Sequence, residues 1–210
     1  MIQIDHITLG YANQTLLRDF SLTVNTGQKV ALCGPSGAGK SSILRCILGF
    51  VRPQTGSIII DGVELDRHNV WTLRRRIGYV PQEADLADQL VSQTIRRPFS
   101  FRANARLRPN LDRLPQMLRQ FGLSDAVLDK EMPALSGGEK QRIALIITLL
   151  LDRDLLLFDE ISSALDERST ETIAAMIRES SRTILLVTHD RRLTAVCDCV
   201  VDIPSLGQAL

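Results

Sequence analysis

The stretch that decides the predicted fold is Lys29–Ser41, KVALCGPSGAGKS. It begins with five residues that favour a buried strand, and a glycine-rich loop and a helical pattern to about Leu48 follow directly. Backbone N–H groups of such a loop can bind phosphate oxygens, and the N-terminus of the next helix favours negative charge. A strand, a phosphate-binding loop and a helix therefore predict an α/β fold with an anionic ligand at the loop.

The loop fits the pattern G-x-x-x-x-G-K-[ST] between a strand and a helix, a context that a simple glycine-rich turn does not require. In this pattern the lysine, here Lys40, reaches the β- and γ-phosphates of a nucleotide, and the hydroxyl of Ser41 binds Mg²⁺. The residues predicted to bind the nucleotide here are Gly34, Pro35, Ser36, Gly37, Ala38, Gly39, Lys40, Ser41 and Ser42.

Two acids follow a second apolar run, Leu155–Phe158. Such a run predicts a buried strand that brings Asp159 and Glu160 to its carboxyl end, where ligands bind in open α/β sheets. Phosphoryl transfer uses one carboxylate to hold hydrated Mg²⁺ and another to position the attacking water. We therefore assign Asp159 to the metal and Glu160 to catalysis as the base. His189, after another apolar run, is predicted to lie at the same edge of the sheet.

The rest of the chain alternates strand and helix patterns, which predicts a mainly parallel sheet. An N-terminal hairpin adds an antiparallel β lobe, and a segment poor in β-branched runs and rich in arginine adds a helical lobe. We expect one domain over residues 1–210, with a nucleotide-binding core at about 1–82 and 152–210 and a helical lobe at about 83–151. The predicted elements are strands at 2–9, 16–24, 29–33, 57–61, 77–80, 155–159, 183–187 and 200–203, and helices at about 39–48, 111–121, 137–151 and 166–179.

Composition excludes several classes of protein. The net charge of +1 argues against a nucleic-acid partner, since nucleic-acid-binding domains are strongly basic. The longest apolar stretch, Ile143–Leu151, is far shorter than the roughly 18 to 20 residues of a membrane-spanning helix. The N-terminus lacks the basic and apolar regions of a signal peptide. We expect a cytoplasmic protein without a spanning segment.

Two further stretches, Leu135–Gln141 (LSGGEKQ) and Leu155–Glu160 (LLLFDE), complete a larger pattern. Together with the phosphate loop, they resemble the signature and Walker B motifs of ATP-binding cassette (ABC) ATPases, and the loop resembles their Walker A motif. The resemblance covers essentially the whole chain, with the motifs in the family's order. It implies a P-loop NTPase fold, ATP and Mg²⁺ as ligands, and ATP hydrolysis.

The resemblance also implies roles for residues outside the phosphate loop. Gln82 resembles the Q-loop glutamine that contacts the metal and the nucleotide, and His189 matches the switch histidine that contacts the γ-phosphate. Tyr11 matches the aromatic residue that stacks on adenine. Asp166, in Ser163–Asp166, resembles the D-loop residue that crosses to the partner subunit.

The glycine pair of the signature motif bears on stoichiometry. A single ATP seldom needs two phosphate-binding loops, and this chain has one already. In the resembled family, Ser136, Gly137 and Gly138 bind the nucleotide held by the Walker A loop of another subunit. The resemblance therefore implies an ATP-dependent, head-to-tail homodimer.

The function implied is that of the ATP-hydrolysing subunit of an ABC transporter with a separate membrane-spanning permease. The chain would then lie on the inner face of the cell membrane, held there by the permease. It looks most like the small ATPases of the iron-export ABC system, which suggests metal export. The alternative is a soluble ABC ATPase without transport, such as an iron–sulfur cluster assembly ATPase.

Three positions depart from the family's usual pattern. Glu139 stands where glutamine is frequent, Ile161 replaces a common proline, and Leu145–Leu149 replaces a run of small residues with an arginine. None of them removes a predicted catalytic group. They bear on how the two lobes communicate.

Arginines cluster between Gln89 and Arg119, where Asp112 is the only acid. One interpretation is an ordinary solvated face. The other is a surface that docks on the membrane partner near anionic head groups, with Phe99 as an aromatic anchor beside two of the arginines. The arginines of this cluster are Arg96, Arg97, Arg102, Arg106, Arg108, Arg113 and Arg119.

Overall fold

The computed structural model describes residues 1–11 and 14–204, except the side chains of Tyr11 and Gln14. An antiparallel sheet of four strands forms the N-terminal β lobe, in the order β2-β1-β4-β5. The predicted hairpin is confirmed, because Ile2 of the first strand pairs with Val24 of the second. The strands are β1 (Ile2–Tyr11), β2 (Gln14–Val24), β4 (Thr55–Ile60) and β5 (Val63–Glu64).

A parallel sheet of five strands forms the centre of the molecule, in the order β6-β7-β8-β3-β9. Every residue of its second and third strands is buried, as expected for parallel strands covered on both faces. The predicted parallel core is therefore confirmed. Its strands are β3 (Lys29–Cys33), β6 (Ile77–Val80), β7 (Leu155–Asp159), β8 (Thr183–Val187) and β9 (Cys199–Asp202).

The two faces of this sheet belong to different hydrophobic clusters. Leu156 and Phe158 of β7 pack with the helical lobe, whereas Leu155 and Leu157 pack with the antiparallel sheet and the helix after β3. This separation follows from the two-residue period of a strand. The parallel sheet thus lies between the helical lobe on one face and the antiparallel sheet with the helix after β3 on the other.

Helices and short 3₁₀ segments complete the fold. The predicted helices after the phosphate loop, after the glycine pair and after Asp166 are confirmed. Four elements are additional to the predicted ones: β5, the helix before β6, the first helix of the helical lobe and the short helix after β8. The helices are α1 (Lys40–Ile47), α2 (Val70–Arg74), α3 (Val91–Ser100), α4 (Leu114–Gln120), α5 (Gly137–Leu150), α6 (Glu167–Glu179) and α7 (Arg191–Thr194). The 3₁₀ segments are Arg102–Arg113, Asp125–Asp129 and Met132–Ala134.

The helical lobe differs from the prediction in one stretch. The helix predicted at about 111–121 begins only at Leu114, as α4, because residues 102–113 form a 3₁₀ segment. None of its residues is fully buried, and Pro109 lacks the N–H group that an α-helix would use there. Packing against a core therefore does not select a regular α-helix in this stretch.

The interpretation of Phe99 as an anchor for a partner is wrong. Its side chain is 2% exposed and belongs to the core of the helical lobe, with Ile95 and Leu118. Arg96 and Arg97, on the same helix, are exposed. The exposed aromatic side chain nearest in sequence is that of Phe101, at 56%.

The unusual apolar run Leu145–Leu149 also has a structural explanation. Helix α5 is buried at every position from Ile143 to Leu150. A helix enclosed on all sides selects apolar residues all round rather than one apolar stripe.

No helix in the part of the chain that the structure describes is both long and apolar enough to cross a bilayer.

Candidate functional site

The phosphate loop is shaped by glycines with positive φ angles. Gly34, Gly37 and Gly39 have φ values of 134°, 80° and 92°, in a region that residues with a Cβ atom rarely adopt. At Gly34 a Cβ would also lie 2.3 Å from the carbonyl oxygen of Ile203. The loop conformation therefore requires glycine at this position.

Backbone carbonyl groups of the phosphate loop hold the side chain of Lys40 in place. Its side chain is at the first turn of α1, it is only 7% exposed, and Nζ donates hydrogen bonds of 2.8 Å to the carbonyl oxygens of Gly34 and Pro35. An ammonium group has three donors, so one remains for a phosphate oxygen. Pro35 thus contributes its carbonyl group to Lys40, and Ala38 packs its side chain into the core.

Ser41 and Asp159 form an oxygen-rich pair next to this lysine. The hydroxyl of Ser41 donates to Oδ1 of Asp159 at 2.8 Å, and Asp159 is 3% exposed. The hydroxyl of Tyr79 donates to Oδ2 of the same carboxylate at 3.4 Å. Burial, and then the charge of Asp159, raise the pKa of Tyr79 to about 12, which keeps that hydroxyl a neutral donor. A hydroxyl and a carboxylate are hard oxygen ligands, so this pair fits Mg²⁺ bound together with a phosphate.

Glu160 and His189 meet at the same edge of the sheet. Nε2 of His189 lies 3.2 Å from Oε1 of Glu160. The backbone of Glu160 has a φ of 48°, which is uncommon for a residue other than glycine. Its N–H donates to the carbonyl of Val187 at 2.9 Å, and its carbonyl accepts from the N–H of Ser163 at 3.0 Å. These backbone bonds hold the strained turn in place.

One cavity of about 470 Å³ brings nine of the 18 predicted residues together. The phosphate loop forms one wall, and Glu160 and His189 form another. Gln82, which follows β6, lines the same cavity, as predicted from its position in the chain. The cavity is lined by Leu16, Ser36, Gly37, Gly39, Lys40, Ser41, Ser42, Gln82, Glu160, Val187 and His189.

Two residues of this region are missing from the sequence-based prediction. Leu16 of β2 lines the cavity and lies against Gly39, and Tyr79 bonds to Asp159. The signal for Tyr79 was a polar aromatic residue in a strand that ends at the loop of Gln82. Nothing in the apolar pattern of β2 distinguishes Leu16. The side chain of Tyr11, predicted to stack on adenine, lies outside the described residues.

The signature residues do not line this cavity. Ser136 caps α5 in a capping box: its hydroxyl accepts from the N–H of Glu139 at 3.2 Å, and its N–H donates to Oε2 of Glu139 at 2.9 Å. The bond from the Ser136 N–H group lowers the pKa of Glu139. Glu139, the departure from the usual glutamine, thus serves as the partner of the cap.

Gly137 and Gly138 lie beside the segment that precedes α6. A Cβ at Gly138 would be 2.8 Å from the carbonyl oxygen of Ala164, so this glycine permits a close backbone approach within the chain. Asp166 caps α6, and its Oδ1 accepts from the N–H of Ser169 at 2.7 Å. That bond lowers the pKa of Asp166. The signature turn and Asp166 therefore form a second region, separate from the cavity.

Comparison with known proteins agrees with this arrangement. Residues 17–163 match the family described as ABC transporter. The chain is 33% identical over 210 residues to the energy-coupling factor transporter ATP-binding protein EcfA1 of Geobacillus kaustophilus, covering 96% of this chain and 74% of that protein. It is 36% identical over 207 residues to the mitochondrial iron-sulfur clusters transporter atm1 of Aspergillus fumigatus, covering 94% of this chain but only 28% of that protein.

Among solved structures, the fold is similar to that of MJ0796, a bacterial ABC transporter cassette determined as a dimer. The TM-score is 0.82 at 25% identity, and the alignment covers 97% of this chain and 94% of that one. The phosphate loop, the acids at the end of β7 and the signature turn occupy one continuous matched region of sequence. The chain therefore belongs to the ABC transporter family, as an ATP-binding cassette ATPase.

Proposed function

We propose that this chain binds and hydrolyses ATP as the ATPase subunit of a transporter whose permease is a separate polypeptide. The observation that carries the proposal is the single cavity in which the Lys40 loop faces Glu160 and His189, with the Ser41–Asp159 pair beside the loop. This combination provides phosphate binding, oxygen ligands for Mg²⁺, and a base. Phosphoryl transfer needs little more than such placement and charge.

In this proposal different residues of the chain bind the phosphates, hold the metal and activate the water. Lys40 and the loop N–H groups bind the phosphates, and Ser41, Asp159 and Gln82 hold the metal. Mg²⁺ supplies neutralisation of the negative charge that develops on the phosphate oxygens. Glu160 accepts a proton from the attacking water, and His189, within hydrogen-bond distance of Glu160, orients that carboxylate and contacts the γ-phosphate.

The separation of the signature turn from the cavity supports an ATP-dependent dimer. Ser136 and Gly137 are exposed, and the residues that fix their conformation belong to the same chain. They are therefore available to a nucleotide held by a second copy. The dimeric state of the MJ0796 cassette supports the same arrangement.

Exposed aromatic and basic side chains support a macromolecular partner. Phe50 and Trp71 are 63% and 71% exposed, and their rings flank Arg74, whose Cζ lies 4.1 Å and 4.8 Å from the two ring centroids. Aromatic and arginine side chains are enriched at protein interfaces.

Since EcfA1 is named as the ATP-binding protein of a transporter, we propose a membrane permease as the partner of this chain. Binding to the permease would place the chain on the inner face of the membrane. Metal export is proposed from the resemblance to the small ATPases of the iron-export ABC system alone.

Steady-state hydrolysis of ATP by the purified chain tests the catalytic part of the proposal. We expect Mg²⁺-dependent turnover in the wild type and a loss of about a hundredfold or more in Glu160→Gln, because the amide cannot accept the proton. The variant should retain ATP and accumulate as a dimer in size-exclusion chromatography. A monomer with unchanged turnover would refute the assignment of Glu160.

Copurification tests the partner. A multi-span membrane protein that acts as the permease of this chain should copurify with it, and reversal of charge in Arg96→Glu/Arg97→Glu should weaken that association. Arg178→Glu, at an exposed position of α6, is the matched control. Copurification and transport that are equal in all three proteins would remove the arginine cluster from the docking surface.

A further inference from the structure

The first turns of α5 contact two other motifs through adjacent side chains. Gln141 is 3% exposed, and its Nε2 donates a hydrogen bond of 2.9 Å to the carbonyl of Pro81. Pro81 immediately precedes Gln82, which lines the cavity. The signature helix is thus bound to the chain segment that carries Gln82, and the buried amide leaves little freedom for that contact to change.

Arg142, the next residue, points in another direction because successive helical residues differ by about 100°. Its Nη1 donates to the hydroxyl of Ser169 at 2.8 Å and lies 3.7 Å from Oδ2 of Asp166. The Arg142 side chain is 15% exposed, and its Nε is buried with no partner in the described part of the chain. A largely buried guanidinium is costly unless its remaining contacts are well fixed. Those contacts are with the first turn and the cap of α6.

Gly138 provides a third connection. The close approach of Gly138 to the Ala164 carbonyl places the signature turn against the segment before Asp166. Together, Gly138, Gln141 and Arg142 form what we call the signature brace. It joins the turn Ser136–Gly138 to the Gln82 segment on one side and to the Asp166 segment on the other.

We propose that Gln141 and Arg142 are positioning residues that hold the signature turn in its place against the Gln82 and Asp166 segments. The inference rests on the proposed function above. Gln82 lies at the nucleotide of its own subunit, whereas Ser136 and Asp166 are proposed to face the nucleotide of the partner. The brace therefore transmits ATP binding in one cavity to the face that closes on the other, and it does so without touching the nucleotide itself.

Arg142→Lys tests the contact with α6, since lysine keeps the charge but loses the planar fork. Ser169→Ala removes the acceptor and leaves the backbone cap of Asp166 intact. In a Glu160→Gln background, ATP-driven dimerisation should weaken about tenfold in either variant, the effect of one hydrogen bond to a charged group. Combining the two should cause little further loss, because they remove the same contact. Arg178→Lys, exposed on the same α6, should behave like the parent protein.

Gln141→Met tests the other side of the brace, because methionine has a similar volume but no N–H donor. We expect the Mg²⁺ concentration needed for half-maximal dimerisation to rise several-fold, since Gln82 is no longer held in place. Gln116→Met, exposed on α4, is its control. Binding of a fluorescent ATP analogue by the monomer should stay within about twofold of the parent in every variant, which a general loss of folding would not allow.

The outcomes separate the two proposals. If the parent binds ATP and dimerises but the brace variants dimerise equally well, the positioning role is refuted and the proposed function stands. If the parent neither binds ATP nor dimerises, both are refuted. Weaker dimerisation that follows weaker monomer binding would assign the brace to stability alone and would also overturn the positioning role.

Discussion

The nucleotide cavity and the signature turn differ in where their residues come from and in whether those residues face a common cavity. In the cavity, Lys40, Gln82 and Glu160 come from separate parts of the chain and converge on one space. At the signature turn, Ser136 and Gly138 have their intrachain contacts already satisfied and lie outside that space. In the proposed function, the first region binds its nucleotide within one chain, and the second completes the nucleotide site of another subunit. This difference favours a dimer, in which the signature turn of one chain contacts the nucleotide in the cavity of the other.

Removal of the loop lysine should produce the largest effect and should affect only the first region. Lys40→Ala removes a buried ammonium with two carbonyl bonds, and with it the proposed contact with phosphate. We expect monomer affinity for ATP to fall about a hundredfold, as for loss of a strong charge-assisted contact. Isothermal titration calorimetry measures it.

Lys130→Ala is the matched control at the signature turn, where Lys130 lies 3.9 Å from Glu139. It should leave monomer affinity unchanged. An equal loss in both variants would mean that the two regions already form one site in the monomer.

A methyl group added to each glycine of the pair should have opposite effects on stability. Gly138→Ala places a Cβ 2.8 Å from the Ala164 carbonyl, a backbone atom that cannot easily move. We expect a loss of about 1–3 kcal/mol, as for overpacking. At Gly137 the nearest atom is 3.8 Å away, so Gly137→Ala should raise the free energy of unfolding by about 0.5–1 kcal/mol through helix propensity.

Urea unfolding of the nucleotide-free monomer compares the two variants without involving the dimer. Equal stability of Gly137→Ala and Gly138→Ala would show that the signature turn is not packed on the Ala164 segment. The difference between the two regions would then have another origin.

The smallest effect should come from the capping box. The Ser136 N–H group lowers the pKa of Glu139 from its ordinary value of 4.5. Because the pKa is lower in the folded state, the carboxylate stabilises the fold above the unfolded-state pKa, and this contribution is lost as the pH falls through the folded-state pKa. Glu139→Gln should remove this pH dependence and cost about 0.5–1 kcal/mol at neutral pH.

Unfolding measured from pH 7 to pH 3 in the wild type and Glu139→Gln provides the check. The two curves should converge at the acid end. Parallel curves over the whole range would assign the acid dependence to other carboxyl groups.

Short stretches whose chemistry is local were predictable. The phosphate loop follows β3, Asp159 and Glu160 lie at the end of β7, and His189 lies just beyond β8. Parallel strands bring their carboxyl ends to one edge. Their convergence in one cavity therefore follows from chain order and strand direction. The roles assigned to these residues remain predictions, as do the lobe boundaries at about 82 and 152.

Side-chain direction in the helical lobe was not predictable in the same way. Phe99 and Phe101 are two residues apart in an arginine-rich segment, and only packing decides that the first is buried and the second exposed. The 3₁₀ stretch after α3 has the same origin, since none of its residues is fully buried. A residue pattern does not predict which side chains of an irregular segment will be buried against the core.

The sequence by itself determined the nucleotide-binding cassette, because its motifs are contiguous runs in which backbone conformation and ligand chemistry depend on neighbouring residues. Only the tertiary structure decided that Gln141 bonds to Pro81 and Arg142 to Ser169, over separations of 60 and 27 residues. Such contacts depend on how α5 sits between the Gln82 and Asp166 segments. Its position is decided by the burial of that helix on all sides, a property of the whole fold rather than of any local motif.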